Sequence, residues 1–134
     1  MKKNLNSRTT GFWLSTAACC LALIGALGLL LTDRGDITFS WITIALAAGG
    51  ILFGVLNWLT DLSIIPLLLA LCLGCGFCWH LYVGLPTLSD IWNGVNFIGG
   101  NATAVILWGA FFLMAAILSV AGSFMNQKKQ IQLV

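Results

Sequence analysis

Long apolar stretches alternate with short polar ones along the chain. Between Arg8 and Asp33 lie 24 residues without a charge, and between Asp36 and Asp61 another 24. Residues 62–89 add 28 more, and residues 91–127 a run of 37. A helix rises about 1.5 Å per residue, so about 20 apolar residues cross a hydrocarbon core of about 30 Å. The pattern predicts four transmembrane helices, at residues 11–31, 41–59, 63–83 and 102–125. Residues 64–73 and 104–120 do not alternate as barrel strands do, and hydrocarbon offers no partner to an open strand edge.

The breakers set the expected ends. Asp61 or Ser63 is placed to cap the third helix, with Pro66 near its first turn. Gly84 and Pro86 are expected to stop it. In segment 84–101, Thr87-Leu-Ser-Asp90 fits a capping box, and Leu88, Ile91, Trp92, Val95 and Ile98 follow at helical spacing. Gly99-Gly100 would end that element. The expected fold is an all-α integral membrane protein. It is a four-transmembrane-helix bundle in one domain, residues 1–134, with a short interfacial helix in the external loop between the third and fourth helices.

Composition narrows the class. The chain is 60% hydrophobic and 7% charged, against about 25% charged in soluble domains. A chain of 134 residues cannot hide that much apolar surface from water as a monomer. Disorder is excluded too, since it needs low hydrophobicity and high charge. Orientation follows from the basic residues. Lys2, Lys3, Arg8, Lys128 and Lys129 fall on the terminal side, and Arg34 alone on the other. The positive-inside rule then puts both termini in the cytoplasm of a cell whose plasma membrane holds the chain. Trp13, Trp41, Trp58 and Trp79 lie near helix ends, whereas Trp108 sits deeper and reads as a packing residue. The first helix is expected to be retained, because no A-x-A site follows it and apolar residues continue past Cys19 to Leu31.

Small residues four apart mark helix contacts in lipid. They recur at Ala18/Ala22/Ala26, Ala45/Gly49, Gly50/Gly54, Ala70/Gly74/Cys78 and Ala115/Ser119/Ser123. Gly50, Gly54, Ala70 and Gly74 are the named packing positions, with Gly50/Gly54 the stripe that could meet another subunit.

Chemistry-bearing residues are few. Cys72, Cys75 and Cys78 share one broad helix face, and Cys-x-x-Cys is a redox or metal spacing. An apolar span disfavours a thiolate, and free cysteine packs as a small hydrophobe. The run is similar in part to that of membrane thiol oxidoreductases of the vitamin K epoxide reductase type. Those also relay electrons through a loop cysteine pair, which segment 84–101 lacks. No metal site or cofactor is expected. His80, the single histidine, reads as a polar residue near the end of the third helix, hydrogen-bonded to a neighbour or water. No Asp, Glu, Lys or Arg falls mid-span, so the coupling carboxylate of small four-helix multidrug exporters has no counterpart. Asn57, Thr60 and Asp61 read as a cap and turn, with a cation contact as the alternative.

The external segment is the best functional candidate. Asp90, Trp92, Asn93 and Asn96 suit a polar ligand or a protein partner. It carries no Lys or Arg, and the net charge of +2 leaves no nucleic-acid face. The expected role is a non-catalytic subunit or accessory factor, whose partners are the bilayer and another membrane protein or a second copy. A small oligomeric transporter or channel-like protein is the first alternative. A thiol oxidoreductase using Cys72, Cys75 and Cys78 is the second.

Overall fold

The computed structural model describes residues 8–95 and 99–128. Four helices form: α1, Thr10–Thr32; α2, Trp41–Leu59; α3, Ile65–Trp92; and α4, Gly109–Phe124. A π-helical turn, Ala104–Trp108, leads into α4. Each helical run, counting Ala104–Phe124 as one, is long and apolar enough to cross a membrane. Consecutive helices pack side by side and the ring closes between α1 and α4, while diagonal pairs barely touch. The result is an up-down-up-down bundle. One end carries both chain termini and the α2–α3 turn, here the terminal end. The other carries the two longer connections, here the loop end.

The buried face of each helix is built of small residues. Ala18, Ala22 and Ala26 lie inside on α1, Ala47, Gly50 and Gly54 on α2, and Ala115, Ser119 and Gly122 on α4. Large apolar side chains turn outward instead, among them Leu31, Leu52, Leu71 and Ile117. This arrangement is compatible with a membrane helical bundle, where lipid tails solvate Leu as well as a core does and backbones gain by approaching closely. Two filled clusters occupy the middle: Leu69 and Leu73 against Ala18, Ala22 and Ala115, and Leu29 and Phe112 against Ala26, Ala47 and Ala104.

Several expected faces shift. On α2 the inward stripe is Thr43, Ala47, Gly50, Gly54 and Asn57, and Ala45 points outward. The sites beside Gly50 and Gly54 are filled by Leu73 and Cys19 of the same chain. On α3 Ala70 is buried, but Gly74 has open space around it and Cys78 is exposed. The α3 stripe runs instead through Leu69, Leu73, Gly76, His80, Gly84 and Thr87. Steps of three and four on both helices give one seam, in which Leu73 lies over Gly50 and Gly76 over Ala47.

The largest correction is at the end of α3. Gly84 and Pro86 do not stop it, and among the described residues no separate interfacial helix follows. Residues 84–92 are its last turns. Gly84 is a contact site, not a terminator, since an added Cβ would stand 2.6 Å from Val105 of the π-helical turn. Pro86 removes one N–H from the helix ladder, but it lies on the exposed side. The helix ends at Gly94, where φ is +64°. There the Gly94 N–H reaches the Ile91 carbonyl and the Val95 N–H the Asp90 carbonyl, at 3.2 and 3.0 Å, the paired bonds of a Schellman cap. With 28 residues, α3 is about 42 Å long, well beyond a hydrocarbon core of about 30 Å. At the other end Asp61 and Ser63 do not cap it. Ile64 holds the N-cap position without a side-chain bond, and Pro66 falls in the first turn.

The glycines separate close contact from free space. A Cβ on Gly122 would meet the Gly11 carbonyl at 3.0 Å and the Ser15 backbone nitrogen at 3.2 Å, neither of which moves without the helix. We expect Gly122→Ala to lower stability by about 1–3 kcal/mol by forcing α1 and α4 apart. Gly74→Ala should be neutral or stabilising, by up to about 1 kcal/mol of helix propensity. Thermal unfolding of both variants in detergent checks this, and equal midpoints would contradict the seam geometry.

Candidate functional site

The loop end is tied by a chain of buried polar contacts that no local motif announces. Asp33 follows the last residue of α1 and is only 2% exposed. Thr38 Oγ1 lies 2.9 and 2.8 Å from its two carboxylate oxygens, donating its proton to them. The same hydroxyl accepts the Asn101 N–H at 3.4 Å. Asn101 Oδ1 in turn accepts the Ala104 N–H at 3.1 Å, capping the helical run 104–124. Thr87, expected to cap a helix, is buried inside α3 and donates to the Gly99 carbonyl at 2.7 Å. Asp90, its expected capping partner, accepts the Gly99 N–H at 3.3 Å. Gly100, with φ +80°, sits under Thr38 and Thr87 where a Cβ would lie 2.6 Å from Thr38. Both connections are thereby fastened to the side of α3.

Below this knot lies His80, buried against Gly109 and Phe112. Its Nε2 stands 3.4 Å from the Val105 carbonyl of the π-helical turn. Its Nδ1 and the Thr43 hydroxyl are the two buried side-chain polar atoms without a hydrogen-bond partner among the described residues. Trp108 is more than a packing residue: its Nε1 donates to Thr32 Oγ1 at 2.8 Å, and its ring covers Gly28.

Above the knot α3 projects. Trp92 is 90% exposed, and Tyr82 and Leu85 are exposed lower on the same helix. Asn93 is exposed, with its amide donating to Ser89 Oγ at 3.2 Å. Of the expected recognition residues, Asp90 is therefore used in holding the loop, while Trp92 and Asn93 stand free of it. Asn96 lies outside the described residues. Cys75 and Cys78 are exposed on the flank of α3, Cys72 is half-buried, and all three are free thiols.

The terminal end carries a second polar constellation, which the sequence placed in a turn. Asp61 pairs with Lys128 Nζ at 2.6 Å and with Arg8 Nη2 at 3.6 Å. Asn57, buried on α2, donates to Gln127 Oε1 at 3.3 Å, and Gln127 donates to the Gly122 carbonyl at 2.7 Å. Arg8 and Lys128 form one antiparallel bridge, and the Thr9 hydroxyl donates to the Asn126 carbonyl. A cleft of about 350 Å³ opens among these groups. Comparison with protein-family models, curated proteins and solved structures found no match.

Burial pushes the Asp33 carboxyl above its ordinary range, with the Thr38 hydrogen bond opposing and the Asp36 charge assisting. A raised carboxyl binds its proton more tightly folded than unfolded. Its contribution to stability is therefore greatest in acid, falls as pH rises from the unfolded toward the folded value, and is flat above. We expect Asp33→Asn to keep an acceptor for Thr38 and to flatten this part of the stability–pH profile. Asp33→Ala should cost about 1–3 kcal/mol at neutral pH, because a buried hydroxyl loses its partner. Unfolding midpoints of the two variants across the acid range check both statements.

Proposed function

We propose that this chain is a non-catalytic integral membrane protein, a small subunit or accessory factor. It holds a partner membrane protein through the projecting end of α3. The observation that carries this reading is Trp92, 90% exposed on a helix that continues past the ends of its neighbours. A large amphipathic ring on a rigid support loses little freedom on binding, and such rings dominate interface energies. The support is rigid here because Thr87 and Asp90 are bonded to the loop on the buried side. The exposed face beside Trp92 carries Asn93 and Ser89, which suit a polar rim. No charge accompanies them on that face, so the fitting partner surface is an aromatic or aliphatic recess, not an ionic one.

In this reading both termini are cytoplasmic and the projection faces outward from the plasma membrane, in keeping with the basic residues gathered at the terminal end. Cysteines introduced at positions 93 and 128, in a background without the native five, should label from opposite sides of sealed vesicles; labelling from one side refutes the topology. A photo-crosslinker at position 92 in native membranes should give one discrete adduct, and position 13 should not. Trp92→Ala should lower recovery of that adduct's partner about 30-fold, the effect of a lost hot spot of about 2 kcal/mol. Equal recovery from Trp92→Ala and Trp13→Ala would remove the role given to α3. An adduct of twice the chain's mass would identify the partner as a second copy.

A further inference from the structure

We propose that the cleft at the terminal end is a binding site for a phosphate group, of a lipid headgroup or free, held by Arg8 and Lys128. This goes beyond the partner role given to α3 and does not depend on it. The cleft of about 350 Å³ lies between the N-terminal segment, the α2–α3 turn and the C-terminal segment. Among the described residues its lining holds two cations, Arg8 and Lys128, and one carboxylate, Asp61. The surplus positive charge selects an anion.

Arg8 is the residue that points to a ligand. Its side chain is 4% exposed, and the guanidinium is held 4.5 Å over the Phe12 ring. Its side-chain ion pair with Asp61, at 3.6 Å, is longer than the ~2.7–2.9 Å of a charge-assisted hydrogen bond. Asp61 instead sits against Lys128 at 2.6 Å. A guanidinium offers five N–H donors in a planar fork that matches a phosphate edge. With Asp61 at 3.6 Å and the Phe12 ring as its partners, the guanidinium keeps N–H donors for an oxyanion in the cleft.

The start of α3 adds the Ser63 hydroxyl to the lining but no set of open backbone donors, since the Ile65 N–H is bonded to the Leu62 carbonyl at 3.3 Å and Pro66 has no N–H. The helix's N-cap residue, Ile64, makes no side-chain bond, and Ser63 and Pro66 line the cleft. The volume exceeds what a carboxylate needs and leaves room for the substituent of a phosphate ester. Leu62 and Phe124 form an apolar rim to the same cleft, as a headgroup site at the edge of a bilayer requires.

The test uses the full-length protein in neutral detergent, with the thermal unfolding midpoint read at constant ionic strength. The probes are inorganic phosphate, a short-chain phosphatidic acid and, as a zwitterionic control, a short-chain phosphatidylcholine. A rise with phosphatidic acid alone assigns the site to a lipid headgroup. A rise with inorganic phosphate assigns it to the free ion. No rise with either overturns the proposal, as does an equal rise with phosphatidylcholine. Arg8→Gln should raise the ligand concentration needed for half the shift about tenfold, and Asp61→Asn should lower it severalfold by removing the competing carboxylate. Two merely structural residues would not act in opposite directions, so unchanged or weaker binding in Asp61→Asn also overturns the proposal. Should Arg8→Gln fail to fold, Lys128→Gln, at a half-exposed side chain, carries the same expectation of weaker binding.

Discussion

Close approach of helix backbones across seams of glycine, alanine and serine is the constraint on which the bundle depends. The α1–α4 seam shows it most clearly. Gly122 stands against the Gly11 carbonyl and the Ser15 backbone, with only the small Ser15 hydroxyl beside it. The α2–α3 seam does the same with one layer of side chain, setting Leu73 over Gly50 and Gly76 over Ala47. Large side chains are thereby displaced outward, where Leu31, Leu52 and Ile117 stand exposed. In water that surface would drive aggregation. Against hydrocarbon it costs nothing, and dispersion between closely packed backbones becomes the main source of cohesion.

A seam of small residues brings helices near but distinguishes poorly between neighbouring registers. The polar contacts sit where that ambiguity is resolved. At the loop end, Asp33, Thr38 and Asn101 join α1, the first connection and the helical run 104–124. At the terminal end, Asn57 and Gln127 join α2 to the C-terminal end of α4. Asp61 joins the α2–α3 turn to both tails. The middle of the bundle holds no charge to be misplaced.

The four long apolar helices were legible because ionic residues are excluded from long stretches and hydropathy reports that directly. Helix faces were legible only in part. Counting small residues at intervals of four finds Ala18, Ala22 and Ala26, and Gly50 and Gly54, but it also picks the outward Ala45 and passes over the inward Ala47. On so apolar a helix, hydrophobicity does not mark the inward face, and only the partner decides. The end of α3 was misread for a related reason. Gly84 and Pro86 carry the local signals of a stop, yet Gly84 is needed for contact with Val105 and Pro86 is tolerated on an exposed side. The true stop signal, Asn93-Gly94, lies within the segment assigned to a separate helix. Of the knot around Asp33 and the cleft around Asp61, the sequence marked only local pieces, Thr87 and Asp90 as a cap and Asn57, Thr60 and Asp61 as a cap and turn, and not their distant partners. Each of the two gathers residues 50 or more positions apart, and no spacing rule reaches that far.

The unpartnered pair inside the loop end extends the same logic. The α2–α3 register that opposes Gly50 to Leu73 and Ala47 to Gly76 brings Thr43 level with His80, one more step along both stripes. Slipping α3 by one turn, about 5.4 Å, would keep small residues opposed to large ones along much of the seam. It would also carry His80 away from the Val105 carbonyl and Thr87 away from Gly99, leaving further buried polar atoms without partners. Each such loss costs about 1–3 kcal/mol, a large penalty beside the small differences between alternative apolar packings. Polar groups at the two ends thus decide which of several close-packed arrangements the chain adopts. The features exposed at those ends, the α3 projection and the terminal cleft, inherit their fixed geometry from them.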